Sequence, residues 1–258
     1  MPAMSEAKKS AAGEGREGVV FFVSDAHFGA AGSEKERERV ERFLRFLALA
    51  RKEAGTLYIV GDLFDFWFEY SQVLPKTHTV IFTGLAGLVR SGVEVVYLAG
   101  NHDYWIGEFF SRTVGLRIRR ESVILETQGR RLYVTHGDDL TAGRDPGYRF
   151  LRRLVRSSWA IRAYHWIHPD IGIPFARWAS HRSRSYSNRK KFILNRTLES
   201  AILDKLREGF DGIVMGHIHV ADRFTYEEGE CLVLGDWMET FTYAVLREGK
   251  LELKRWED

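Results

Sequence analysis

Five short blocks of this sequence gather residue types that bind cations: Asp25-Ala26-His27, Gly61-Asp62-Leu63-Phe64-Asp65, Gly100-Asn101-His102-Asp103, His136-Gly137-Asp138 and Gly216-His217-Ile218-His219. Carboxylate, imidazole and amide donors together suit Mn²⁺, iron or Zn²⁺ better than an all-thiolate or all-oxygen set would. The glycines in the blocks remove a Cβ where the chain must turn sharply beside a ligand. Each block alone has an ordinary explanation as well. Asp-x-His after a strand makes a turn or a cap, Gly-Asp-x-x-Asp runs into a helix N-cap, and an isolated Gly-His carries little information. It is the conjunction, with every block following an apolar run, that points to one site.

The elements that must position these blocks read as alternating strand and helix. Residues 19–23 form an apolar run, Ser33-Glu34-Lys35-Glu36 has the pattern of a capping box, and Val40, Phe43, Leu44 and Leu47 follow at helical spacing. A strand at 57–60 then leads to a helix carrying Ile81, Leu85, Leu88 and Val89, which Gly92 terminates before a strand at 93–98. Short strand-like runs recur at 122–126, 132–135, 212–215, 231–234, 243–246 and 251–254. The expected fold class is α/β with added antiparallel character. In open α/β sheets ligands bind beyond the carboxyl ends of the strands, which is where the five blocks fall.

A chain of 258 residues, 45% of them hydrophobic, is sized for one large domain or a domain with an insertion. The single cysteine, Cys231, excludes an intramolecular disulfide and fits a reducing compartment, so the expected location is the cytoplasm. The first 18 residues are small, charged and glycine-rich without the apolar core of a signal peptide, and are expected to form a mobile tail. No uncharged apolar run approaches the length of a membrane span. Charge is unevenly spread. Residues 141–200 hold 13 Arg and Lys against 3 Asp and Glu, a local +10 within a net +3, so the remainder carries −7. An acidic remainder suits divalent cations, and a basic segment suits phosphates, nucleic acid or an anionic membrane. From 141 to about 206 the strand signal disappears, and arginines alternate with Tyr148, Trp159, Tyr164, Trp166, Phe175 and Trp178. This stretch is expected to be an inserted helical cap on a domain running from 19 to 258. Its aromatics also fit ordinary helix core, and its arginines a solvated face.

In this order the five blocks resemble the signature of the calcineurin-like metallophosphoesterases, over the span Asp25 to His219. The resemblance implies a two-sheet sandwich flanked by helices. It also implies two divalent ions, one held by Asp25, His27, Asp62 and His219 and the other by Asp62, Asn101, His136 and His217, with Asp62 bridging. Phosphate anions repel hydroxide, and a pair of divalent ions both neutralises the anion and lowers the pKa of a shared water. In the family pattern His102 is not a ligand: it protonates the leaving oxygen or stabilises its charge, and Asp65 fixes the His102 tautomer.

The flanks Gly61 to Phe68, His136-Gly137-Asp138-Asp139-Leu140 and Asp145-Pro146-Gly147-Tyr148, with the basic aromatic cap, resemble a narrower family. These are the UDP-2,3-diacylglucosamine pyrophosphatases of lipid A biosynthesis, which release UMP and an acylated sugar phosphate. That similarity implies Mn²⁺, substrate contacts from Asp145, Arg184, Asn188 and Lys191 together with Asn101, His102 and His217, and peripheral attachment to the inner face of the cell membrane. It implies a nucleotide-linked acylated sugar as the partner, with neither nucleic acid nor an obligate protein partner. The best-known branch of that family has Arg at the position of His102 and Ser at that of Arg184. A phosphoesterase of other specificity, such as a nuclease or a cyclic nucleotide phosphodiesterase, is the alternative expectation, since basic residues with aromatics also stack bases and track phosphates. A non-enzymatic scaffold on the same fold is a further one, against which stands the presence of every expected ligand.

Overall fold

The structure, a computed structural model, describes residues 16, 18–141, 153–154, 156–188 and 196–257, and the side chains of these except 141 and 179–188. Alternation along the strands sorts their side chains onto two faces, and that sorting builds the layers. In β1 (Val20–Val23), Phe21 and Val23 join a cluster with the helices, whereas Val20 and Phe22 point into a second cluster between two sheets. The first sheet runs β1, β2 (Thr56–Val60), β3 (Glu94–Leu98) and β4 (Arg117–Arg119), all parallel. On the other side of β1 lie β10 (Thr242–Arg247) and then β11 (Lys250–Arg255), antiparallel. The second sheet has the order β5 (Val123–Thr127), β6 (Arg130–Thr135), β7 (Gly212–Met215), β9 (Gly229–Leu234), β8 (Ala221–Tyr226), and its middle three strands are parallel.

Between the sheets, Val20, Phe22, Val60 and Leu98 meet Leu132, Val134, Val214 and Leu232. Phe22 is fully buried there, so truncation to Ala would cost ~3–5 kcal/mol. Helices α1 (Ser33–Glu53) and α2 (Thr79–Arg90) cover the outer face of the first sheet through Phe43, Phe46, Leu47, Ile81 and Leu85. The second sheet is covered by α6 (Arg196–Arg207), which buries Leu198, Ile202 and Leu206 against Ile213, Met215 and Val233. The result is the expected sandwich of two mixed sheets between helices.

Several local readings change. Ser33 does not cap α1: the N-cap is Gly32, with no side-chain cap bond, and Glu36 instead accepts from the amides of Gly29 (2.6 Å) and Ala31 (3.3 Å). The acid closes the loop after β1 and leaves the helix end uncapped by a side chain. Within the segment expected to be a cap as far as residue 206, α6 is a core helix, because its apolar face lies on the second sheet. Beyond α3 (Asp138–Thr141), the helices that stand apart are α4 (Ser158–His165), capped by Ser157, and α5 (Pro169–Asn188). Tyr164 of α4 packs on Phe68 (4.7 Å) and Trp105 (4.9 Å), in the loops after β2 and β3. Arg177 of α5 donates to Gly29 O at 2.8 Å. Of the residues expected to touch substrate from this segment, Asp145 and Lys191 lie outside the described residues, and Arg184 and Asn188 fall within α5. Most of the expected tail also lies outside them, but Arg16 is docked, its guanidinium donating to Arg51 O and Ser91 O at 2.9 Å each.

Candidate metal centre

All five blocks follow strands that run parallel within their sheets, so their loops collect at one edge of the sandwich, above β1, β2 and β3 on one side and β6 and β7 on the other. The backbone there is unusual. Asp25, His27, Asp62, His217 and His219 all adopt positive φ, between 44° and 73°. Such residues persist only when surrounding structure over-determines them, and they concentrate at functional sites. The blocks also interlock. A Cβ on Gly61 would collide with the His136 ring, one on Gly100 with the Asp62 carboxylate, and one on Gly216 with the Asp25 carboxylate. These glycines are needed for space as well as for turning.

The donor atoms form three clusters: Asp25 with His27 and His219, Asp62 with His136 and His217, and His27 with Asp65 and His102. Asp25 Oδ1 lies 3.7 Å from His27 Nε2 and 3.5 Å from His219 Nε2, and those two ring nitrogens face each other at 3.3 Å. Asp62 Oδ2 lies 3.6 Å from His27 Nε2 and 3.4 Å from His136 Nε2, placing it between the first two groups. Asn101 Oδ1 is 3.1 Å from His136 Nε2, and the Asp62, His136 and His217 ligand atoms lie within 4.8 Å of one another. A backbone amide grips one oxygen of each central carboxylate: His217 N–H donates to Asp25 Oδ2 and His102 N–H to Asp62 Oδ1, both at 2.9 Å. The other oxygen of each faces the imidazoles. Asp25 Oδ1 is buried without a hydrogen-bond partner among the described residues, a costly state that a cation relieves.

Electrostatics agree with that fit. Burial would push the Asp62 carboxyl up, yet His136, His102 and His27 hold it well below the usual range. Asp25 is likewise lowered, its burial outweighed by His219 and His27. Burial pushes His27 and His217 down to about 4, so both offer neutral lone pairs. Burial also opposes protonation of His136, but Asp62 holds its pKa well above normal: a proton there stands in for positive charge that the carboxylates demand. His136 Nδ1 lies 3.0 Å from Val60 O, and since a carbonyl only accepts, Nδ1 carries hydrogen and Nε2 is the coordinating atom. Seven predicted ligands are therefore brought together with a donor set that fits divalent cations.

His102 stands beside the second group, its Nε2 3.9 Å from Asp62 Oδ2. Its Nδ1 donates to the main-chain carbonyl of Asp65 at 3.0 Å, while the Asp65 carboxylate sits 3.9 Å from both His102 Nδ1 and His27 Nδ1. The tautomer is thus set by the Asp65 backbone, with the carboxylate shared between two rings.

Three supporting residues escaped the sequence reading. Asp236, after β9, lies 3.7 Å from His219 Nδ1; burial would raise its pKa, but His219 and the amides of Glu239, Thr240 and Met238 bring it down to about 2. Leu234-Gly235-Asp236 repeats the pattern of Val60-Gly61-Asp62, which was the available signal. Asp103 accepts from Leu63 N (2.8 Å), Gly100 N (2.7 Å) and Tyr97 OH, tying the second block to the third. Burial and the Asp62 charge raise it to about 6. Buried Arg39 of α1 donates to Ala26 O and to Trp237 O, bracing the first block from beneath.

The family model for calcineurin-like phosphoesterases matches residues 18–221. The UDP-2,3-diacylglucosamine hydrolase of Porphyromonas gingivalis is 29% identical over 93% of this chain and 98% of its own length. That of Photorhabdus laumondii is 31% identical over 77% of this chain and 81% of its own. Among solved structures, the Escherichia coli phosphoesterase Yfce is similar over 90% of each chain, with 18% identity and a TM-score of 0.44.

Proposed function

The chain belongs to the calcineurin-like phosphoesterase family and is a metal-dependent hydrolase, and we propose that it cleaves the pyrophosphate bond of UDP-2,3-diacylglucosamine. The observation that carries this reading is the double cluster around Asp25 and Asp62, in a chain whose full-length relatives bear that activity in their names. Asp25, His27, Asp62 and His219 would hold one ion and Asp62, Asn101, His136 and His217 the other, with Mn²⁺ the expected metal. When bound, such ions neutralise phosphate charge and make water nucleophilic at neutral pH.

The chain's own groups then divide the work. Water adds to the phosphorus nearer uridine, the bond to the bridging oxygen breaks, and UMP and 2,3-diacylglucosamine 1-phosphate separate. His102 keeps Nδ1–H on the Asp65 carbonyl, so Nε2 is the atom that gives its proton, or its charge, to the leaving oxygen. Asp236 and the Val60 carbonyl orient His219 and His136 from behind.

The acylated end and the membrane are served by α4 and α5. Phe68, Trp105, Ile106 and Ile161, beside charged Glu69, Glu108, Arg120, Arg156 and Arg162, line a cavity of about 630 Å³ between α4 and the loops after β2 and β3, and its apolar part suits acyl chains. On the outer surface, Trp159, Trp166, Ile171, Phe175 and Trp178 are exposed within the +10 segment, a combination that suits an anionic membrane. No described helix is long and apolar enough to cross a membrane; the contact we propose is peripheral, on the cytoplasmic face.

Hydrolysis of UDP-2,3-diacylglucosamine in ¹⁸O-water tests the reading. The expected result is metal-dependent release of UMP bearing the label. Label in the lipid phosphate would reverse the orientation, and no cleavage would shift the assignment to a phosphoesterase of other specificity.

A further inference from the structure

A second cavity, of about 840 Å³, opens beside His136 at the foot of the metal centre. It shares Tyr104, Arg120 and Arg156 with the cavity beside α4, so these three residues form a partition between two chambers. The chambers differ in chemistry. On the His136 side the wall sets Arg120, Arg153 and Arg156 against an equal number of acids, Glu121, Asp138 and Asp139, and mixes them with Leu98, Ala99 and Ile124. A second phosphate would call for excess positive charge, and an acyl chain for an apolar wall. A group that is uncharged, planar and rich in donors and acceptors matches this lining, and its volume lies within the range of small-molecule sites.

The partition is also built as a stacking surface. The Arg156 guanidinium lies over the Tyr104 ring, 4.0 Å from its centroid. Its Nη2 is held by Asp138 Oδ2 at 2.8 Å, which fixes the guanidinium plane. Asp139 is oriented by Thr135 Oγ1 at 2.9 Å and Tyr133 OH at 3.3 Å, so the polar wall is pre-arranged.

We infer that this chamber seats the nucleoside half of the substrate, with the base stacked on the Tyr104–Arg156 plate and the adjoining phosphate at His136. The inference rests on the pyrophosphatase reading and deepens it. It assigns the two dissimilar ends of a nucleotide-linked lipid to opposite sides of one partition and places the scissile linkage between them, at the cluster. Aromatic and guanidinium stacking of a base is worth a several-fold to hundred-fold change in affinity. Arg156 and Tyr104 therefore act as specificity determinants.

The test is calorimetric titration of the Mn²⁺-loaded full chain with UMP and, separately, with inorganic phosphate. UMP should bind the unaltered protein at least about tenfold tighter than phosphate. Tyr104→Ala and Arg156→Gln should reduce that ratio by about fivefold or more. Arg156→Lys, which keeps a cation for Asp138 but loses the planar group, should reduce it too without leaving the carboxylate unpaired. Ile161→Ser, altered on the apolar side, should keep the ratio of the unaltered protein. Equal affinity for UMP and phosphate in the unaltered protein, or an unchanged ratio in all three partition variants, overturns the inference. Failure to cleave the diacylated substrate with the UMP preference intact would instead sink the pyrophosphatase reading and leave a nucleoside site serving another substrate.

Discussion

The carboxyl edge of the two sheets and the outer surface of α4 and α5 break the usual partition of residues in opposite directions. At the edge, Asp25, His27 and Asp62 are at most 1% exposed; on the helices, Trp166 is 89% and Ile171 67% exposed. Buried charge and exposed large apolar groups are the two informative exceptions to hydrophobic sorting. Both cost stability, and neither improves packing. The edge is over-determined, with interlocking glycines, carboxylates gripped by amides and imidazoles aimed by carbonyls. Among the described residues, the helices touch the core through Tyr164, His165 and Arg177. The proposed chemistry is thus housed where the fold is over-determined, and the proposed contact with an acylated substrate and its membrane where side chains face outward.

This contrast can be broken most forcefully at Asp62. Its carboxylate serves both donor groups, so Asp62→Ala is expected to abolish hydrolysis of the lipid substrate and of bis(p-nitrophenyl) phosphate alike, with loss of bound metal measured by elemental analysis. Residual activity on either would remove Asp62 from the centre of the account. His102→Ala should separate catalysis from binding. Turnover is expected to fall by about 10²–10⁴ with metal content unchanged, and loss of metal would mark His102 as a ligand.

On the other side of the comparison, Trp166→Ser combined with Ile171→Ser should weaken co-sedimentation with vesicles containing anionic lipid while hydrolysis of bis(p-nitrophenyl) phosphate continues. Equal loss in both assays would make the helices part of the catalytic core. The smallest effect concerns His78, buried against Phe64 at a centroid distance of 4.7 Å, with its pKa lowered to about 3 by burial and by Arg177. The unfolded chain takes up this proton below about pH 6.5 and the folded one does not, so stability present above that pH is lost as pH falls towards 3. His78→Phe should flatten this limb of the denaturant-derived stability curve by up to ~1.4 kcal/mol per pH unit. An unaltered slope between pH 6.5 and 4 would assign acid sensitivity elsewhere.

The site was more legible in the sequence than the framework around it. Asp25, Asp62, Asn101, His136 and His217 stand in short motifs because each needs a strand end, a sharp turn and a ligand within a few residues, a local requirement that leaves local spelling. Asp236 and Asp103 act through bonds to distant blocks, and nothing next to Asp103 announces that Leu63 N lies beside it. β8 was missed because an edge strand half facing solvent, Ala221–Tyr226, lacks a run of apolar residues. Glu36 was misread as a capping partner because the pattern Ser-x-x-Glu does not show that the acid turns toward the loop amides of Gly29 and Ala31. The segment after residue 141 announced its composition but not its boundary, since α6 carries a core-facing stripe whose partner strands lie after it in the chain.

The central claim is that this edge is a two-ion centre. Its most direct measurement is elemental analysis of the full chain after Mn²⁺ loading and removal of free metal, read against hydrolysis of UDP-2,3-diacylglucosamine in the same sample. Two ions per chain are expected, with activity lost on chelation and restored on re-addition of Mn²⁺. One ion or none at full activity would contradict it.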